Sequence, residues 1–254
     1  AYFGRFWGPR TEHLIRMALL LVTSAPPGTY SLVDLYRVFE DESLRARFLE
    51  YVDDEKVITF WTHDFPAIMK SRSGAEAIQS VKNKLGKFVN DPLIRSLIDA
   101  KKSSIDLREA IDSGKIVIVN LGALKGTDSL AFMGAMVLSR ILVAAFSRGL
   151  GGEVSRRPVF VFIDELHNFV SPMLAKLIAQ MMAETRKFNV FIVAMTQYPK
   201  QLPPTLRSAL YELARHIFVF QVGLESAKEL RKVFEPYLGE TDLMNIDPYH
   251  YAAR

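Results

Sequence analysis

The chain has 254 residues, 49% of them apolar, which is enough for one large α/β domain or one domain with a helical insert. It contains no cysteine, which excludes disulfides, thiolate catalysis and cysteine-held metal. The five histidines (His13, His63, His167, His216 and His250) show no paired ligand spacing, so no zinc site is expected, and a formal charge of +4 permits a basic surface without demanding a nucleic-acid partner.

From Gly8 to about Ser104 the pattern is helical, with almost no strand signal. Pro9 suits a helix start, and the stretch from His13 to Val22 carries a broad apolar face. Ala25-Pro26-Pro27-Gly28 breaks it, and Ser31 is the expected N-cap of the next helix. Asp41 is expected to cap Glu42 to Tyr51. Asp53 to Met69 and Ser73 to Val89 read as two longer helices, and Asp91-Pro92 opens another. Lys82, Lys84, Lys87 and Lys101-Lys102 give this half a basic tinge. A solvated helix face is the preferred reading, and contact with a nucleic-acid backbone is the alternative. Phe60-Trp61, Phe65 and Phe88 read as core.

After Ile105 strands and helices alternate, which implies βα crossovers and a mostly parallel sheet. Asp106 to Ser113 is a short helix stopped by Gly114, and Lys115 to Leu121 is expected to be a strand. A long helix follows over Asp128 to Arg148, then a flexible Gly149-Leu150-Gly151-Gly152 turn. Val159 to Ile163, Val190 to Met195 and Ile217 to Val222 read as strands. Pro172 to Phe188, Pro204 to Ala214 and Glu225 to Phe234 read as helices. No segment is expected to span a membrane: the longest apolar run, Leu130 to Phe146, is interrupted by Arg140 and falls short of the required length. No signal peptide is visible. The aromatic start, Tyr2-Phe3-Gly4-Arg5-Phe6-Trp7, and the abrupt end on Tyr251-Ala252-Ala253-Arg254 suggest a piece of a longer polypeptide.

Val159-Phe160-Val161-Phe162-Ile163-Asp164-Glu165 is the most informative stretch. An unbroken apolar run reads as a strand covered on both faces, and two acids then fall at its C-terminal end, where open α/β sheets place their chemistry. Adjacent carboxylates there suit nucleotide hydrolysis: one can hold Mg²⁺ through water while the next orients or deprotonates the attacking water. A plain strand end or helix N-cap is the competing reading. Met195-Thr196-Gln197 ends the next strand, and a glutamine there could touch a γ-phosphate or the attacking water, or merely cap the strand. Arg186, in Glu184-Thr185-Arg186-Lys187, either answers a helix dipole or reaches a neighbouring subunit's phosphate. Lys115 reads as a solvated strand-entry residue. Neither Gly122-Ala123-Leu124-Lys125-Gly126-Thr127 nor Ser113-Gly114-Lys115-Ile116 is a P-loop, and no Walker A element occurs in these residues.

Trp7-Gly8-Pro9-Arg10-Thr11-Glu12-His13-Leu14, Lys82-Asn83-Lys84-Leu85-Gly86-Lys87-Phe88, Asp91-Pro92-Leu93-Ile94-Arg95, Asp112-Ser113-Gly114-Lys115 through Leu121, Phe162-Ile163-Asp164-Glu165-Leu166-His167-Asn168-Phe169, Arg186-Lys187-Phe188 and Thr196-Gln197-Tyr198 occur in this order. With this ordered set the chain resembles the HerA/FtsK superfamily of P-loop ATPases, and within it the conjugative DNA-transfer ATPases of the TraG/TraD-like, type IV secretion coupling kind. The resemblance implies a RecA-like α/β core over residues 105–254, with a mostly parallel sheet whose first strand is missing, and an all-helical insert over residues 1–104. It implies an ATPase that moves DNA, assembled as a ring, usually a hexamer. By position, Asp164 is the Walker B magnesium residue, acting through water, Glu165 the catalytic glutamate and Gln197 the sensor. Arg186 is the trans-acting finger, and Thr196 joins Asp164 in holding ATP. Gln221 stands where an arginine is common in relatives.

The family's Walker A strand and loop would lie upstream of Ala1. Their absence should leave the strands at Val190 to Met195 and Ile217 to Val222 with bare edges, and the chain alone inactive and a poor nucleotide binder. A cytoplasmic location is implied, possibly at the inner face of a membrane, with membrane-complex partners met through the missing regions. The competing readings are a non-catalytic adaptor or assembly subunit that has lost its P-loop, and a simple DNA-binding module built on the helical half.

Overall fold

The computed structural model describes residues 8–124, 128–151, 157–168 and 170–254. The aromatic start through Trp7, the Lys125-Gly126-Thr127 part of the glycine-flanked loop, Gly152 of the turn and Phe169 lie outside the described residues. The chain divides into two compact units, one ending at Ile105 and one beginning at Asp106.

The first unit is helical. Helix α1 (Pro9–Thr23) starts with Pro9 in its first turn, where a missing N–H costs nothing. The helix expected from Ser31 is delayed to α2 (Asp34–Arg37). The Ser31 hydroxyl accepts the Val33 amide at 3.2 Å, and the Asp34 carboxylate accepts the Ser31 amide at 2.9 Å, so these side chains close a turn before any helix begins. Asp41 caps α3 (Glu42–Leu49) by accepting the Leu44 amide at 3.0 Å. The long helix expected over Asp53 to Met69 is instead α4 (Glu55–Thr59) and α5 (Phe65–Lys70), joined by a π-helical turn over Phe60–Asp64. Pro66 cannot donate its share of an α ladder, and the widened turn before it absorbs the break. Ser71 caps α6 (Arg72–Val89), and Asp91 caps α7 (Pro92–Ile98).

Phe39, Phe60, Trp61 and Phe65 form the aromatic centre of this unit, each 4% exposed or less. The Trp61 indole N–H donates to the Met17 carbonyl at 3.1 Å and so pins the π turn to α1. The basic side chains only partly match a solvated face. Lys82 pairs with Glu40 at 2.7 Å, while Lys84 is buried, its ammonium held by the carbonyl and hydroxyl of Ser80 one turn back.

In the second unit Asp106 caps α8 (Leu107–Ser113), and Gly114 ends it in the left-handed region at φ 72°. The strand expected over Lys115 to Leu121 does not form. The segment joins no ladder, and Ile116 and Ile118 are 91% and 87% exposed. Strand propensity is present, but strand structure needs a neighbour to pair with. Lys115 is exposed as expected and pairs with Glu109 at 2.6 Å.

Helix α9 (Asp128–Ser147) follows, then β1 (Val159–Ile163), α10 (Pro172–Glu184), β2 (Val190–Ala194) and α11 (Pro204–Leu213). The chain continues through β3 (Phe218–Val219), α12 (Leu224–Phe234), α13 (Glu240–Met244) and β4 (Ala252–Ala253). Over Ser129–Ser147, α9 is long and apolar enough by length and composition to cross a membrane, contrary to the sequence expectation. In this unit its Leu138 and Leu142 are buried against β1, α10 and α11.

β1 and β2 pair in parallel, with Val159 opposite Val190 and Ile163 opposite Ala194. The expectation of a strand covered on both faces is not met. Val161, Ile163, Ile192 and Ala194 pack onto the helical core, whereas Phe160 and Phe162 on the other face are 55% and 67% exposed. The β strand's period of two separates these sets once helices cover only one side. The third expected strand shrinks to β3, which pairs antiparallel with β4 and not with β2, so the described sheet is in two pieces. Phe218 and Phe220 are each 60% exposed.

Tyr211, on α11, carries a buried hydroxyl beside the Glu229 carboxylate. Burial, and then the charge of Glu229, push its pKa up to about 12. The folded state therefore keeps a proton that the unfolded chain releases near 10, and stability is lost as pH climbs through that window. Tyr211→Phe removes the titrating hydroxyl and is expected to change stability by no more than about 1 kcal/mol near neutral pH and to flatten the alkaline loss. Thermal unfolding at pH 7 and pH 11 checks both.

Candidate active site

The parallel register carries the chemistry. Backbone bonds continue past the ladder: the Met195 amide donates to the Ile163 carbonyl at 2.9 Å, and the Leu166 amide to the Met195 carbonyl at 3.0 Å. Asp164 and Glu165 thus leave β1 at the edge where Thr196 and Gln197 leave β2. Parallel strands bring their C-terminal ends to one side of a sheet, where ligands of open α/β folds bind.

Glu165 is the hub. Gln197 Nε2 donates to Glu165 Oε1 at 2.7 Å, and Asn168 Nδ2 donates to Glu165 Oε2 at 2.7 Å. The Glu165 backbone lies at φ 50°, in the left-handed region that costs a non-glycine residue on the order of 1–3 kcal/mol. Asp164 Oδ1 accepts the amide of Glu165 at 2.8 Å, tightening the same turn. The Asp164 side chain is exposed, and Glu165 is partly so. Such a carboxylate fits Mg²⁺ better than a cation needing a full protein cage, because Mg²⁺ keeps its waters and takes one or two carboxylates beside substrate phosphates. Among the described residues no cluster of three or more His, Asp or Glu side chains forms a cage.

Thr196 is placed beside the acids, but its hydroxyl is engaged within the protein. Its oxygen accepts the Tyr198 amide at 3.2 Å and meets His167 Nδ1 at 3.1 Å. Arg186 is not brought to this cluster. It lies in the 3₁₀ turn Thr185–Phe188 before β2, at the opposite edge of the sheet, and donates to the Leu213 carbonyl at 3.1 Å. A five-residue strand separates the two edges by about 17 Å at 3.3 Å per residue. Arg207 pairs with Glu229 at 3.0 Å, and Gln221 donates to the Met244 carbonyl at 3.0 Å. His167 and Asn168 are the site residues that sequence reasoning left without a role. Their signal was their place in the turn directly after the acids.

Residues 115–221 match the model of the ATPase family associated with various cellular activities (AAA). Among solved structures the chain is similar to the plasmid coupling protein TrwB in complex with the non-hydrolysable GTP analogue GDPNP. The TM-score is 0.54 at 16% identity, with 95% of this chain and 65% of that chain covered. The chain therefore spans about two thirds of the length of that coupling protein. No curated protein matches. The family match over residues 115–221 and the structural likeness bear out the resemblance and the RecA-like α/β class expected from the sequence: this chain has the fold of a plasmid coupling protein, and part of it matches an ATPase family.

Proposed function

We propose that the chain is the Walker B and sensor part of an ATP-driven DNA-transfer motor. The observation that carries this reading is the hydrogen bond joining Gln197 to Glu165, which unites the ends of neighbouring parallel strands at the edge where such folds work. Glu165 is the general base for the attacking water, and Gln197 orients that water against the γ-phosphate. Asp164, with Thr196 beside it, would face the nucleotide, and Asp164 is the residue that would hold Mg²⁺. The chemistry a bound Mg²⁺ would supply there is neutralisation of negative charge on the substrate phosphates.

This sequence has no Gly-Lys-Thr/Ser loop, so the grip on the β-phosphate is assigned to another segment of the native gene product. Arg186, remote from Glu165 within its own chain, is the candidate finger for a neighbouring subunit of a ring, a hexamer in this reading. Residues 105–254 act as the motor core on the cytoplasmic side, residues 1–104 as its helical domain, DNA as cargo, and membrane-complex components as further partners.

Gln197→Ala in the native gene product is expected to lower ATP turnover by about a hundred-fold or more and to leave nucleotide affinity within about threefold, since the loss falls on the transition state. Steady-state hydrolysis and fluorescent-nucleotide titration measure the two. Full turnover in the variant would remove Gln197 from the chemistry and leave its bond to Glu165 as a tie between strand ends, whereas no turnover in the unmodified native gene product would favour the adaptor reading.

A further inference from the structure

We infer that His167 is a positioning residue of this site, a link between the glutamate that follows β1 and the sensor segment after β2. The inference rests on the hydrolytic reading above and deepens it.

His167 lies in the 3₁₀ turn Leu166–Asn168, and its side chain is only 6% exposed. Its ring is fixed from three sides. Nδ1 lies 3.1 Å from Thr196 Oγ1, Nε2 lies 3.6 Å from Glu165 Oε2, and the Tyr198 ring meets it edge-on with centroids 5.1 Å apart. A buried imidazole facing groups that follow two different strands is more than a space-filler, because each nitrogen has a separate polar group before it.

Thr196 Oγ1 accepts the Tyr198 amide and still has a proton to give and a lone pair to receive, so the direction of its bond with His167 Nδ1 is set by the ring tautomer. In the tautomer in which Thr196 donates, the ring proton sits on Nε2, the nitrogen that faces the Glu165 carboxylate. At 3.6 Å that contact is longer than a hydrogen bond, and Asn168 holds the same oxygen at 2.7 Å. The ring is thus poised beside the carboxylate while Asn168 anchors it. Any shift of the Thr196-Gln197 segment reaches Glu165 by two routes: directly through Gln197 Nε2, and through the His167 ring.

The test compares His167→Ala, His167→Asn and His167→Gln in the native gene product, with Glu165→Gln run in parallel. Glutamine can place a donor near the Nε2 position, whereas asparagine reaches only the Thr196 side. Loss of a group that orients a catalytic residue typically costs on the order of ten- to a hundred-fold. His167→Ala should show a kcat loss of that size with KM for ATP and melting temperature near wild type. His167→Gln should recover turnover better than His167→Asn. Three results would overturn the inference: wild-type kcat in His167→Ala, equal recovery by Asn and Gln, or a kcat loss that tracks a fall in melting temperature across all three variants. If Glu165→Gln itself turns over at the wild-type rate, the hydrolytic reading fails first. If Glu165→Gln is dead and the His167 variants are unaffected, only the present inference fails.

Discussion

Glu165→Gln in the native gene product is expected to lower ATP turnover by on the order of 10²–10⁴-fold, the range a positioned general base contributes, while nucleotide binding survives. The substitution is close to isosteric. The new amide oxygen can still accept from one of Gln197 and Asn168, and a flip of the other side-chain amide turns its oxygen to the new NH₂, so the turn that carries residue 165 at φ 50° should persist. What it cannot do is accept a proton from water. Loss of kcat with retained affinity is the signature of an interaction made in the transition state alone. Single-turnover hydrolysis beside equilibrium nucleotide titration separates the two quantities. Unchanged turnover would remove Glu165 from the chemistry and leave the Asp164-Glu165 pair as a strand end, which is how many acids at such positions behave.

Trp61→Ala is expected to destabilise the helical unit by about 3–5 kcal/mol, as full truncation of a buried aromatic does. That is a large fraction of the stability a domain of this kind possesses, typically about 5–15 kcal/mol. Trp61 is 3% exposed and lies 4.7 Å from the Phe65 ring and 5.1 Å from the Phe60 ring, centroid to centroid. Its N–H ties the π turn to α1 through the Met17 carbonyl, so truncation removes both packing and the one polar link between them. Trp61→Phe keeps the ring and loses the N–H, with an expected cost of about 1–3 kcal/mol. Chemical denaturation followed by far-ultraviolet circular dichroism ranks the two. Equal stability of Trp61→Ala and the native protein would mean that this aromatic cluster does not hold the unit together.

Most helix boundaries were legible because their signals are local. Asp41, Ser71, Asp91 and Asp106 accept amides of the first turn that follows them, and Gly114 takes the left-handed conformation that stops α8. Such contacts span two to four residues and need nothing from the rest of the chain. The π turn at Phe60–Asp64 was not legible, because its apolar spacing is that of an ordinary helix and only Pro66 hints at a break. Strands fared worse. Lys115 to Leu121 has the composition of a strand and lacks a ladder, and Ile217 to Val222 kept only Phe218–Val219 in one.

The acids at the end of β1 and the polar pair at the end of β2 were readable as residues at strand ends, since an apolar run that stops in Asp164-Glu165 or Thr196-Gln197 marks its own terminus. Their meeting was not. It required the parallel register that sets Ile163 opposite Ala194, a contact between segments some thirty positions apart that no local pattern encodes. The same folding step turned His167 and Asn168 inward to Glu165 and left Arg186 at the far edge. Composition and spacing determined which side chains were available and where helices begin and end. Only the tertiary fold decided which of them touch, because hydrogen bonds between strand ends depend on distances in space that separation along the chain does not set.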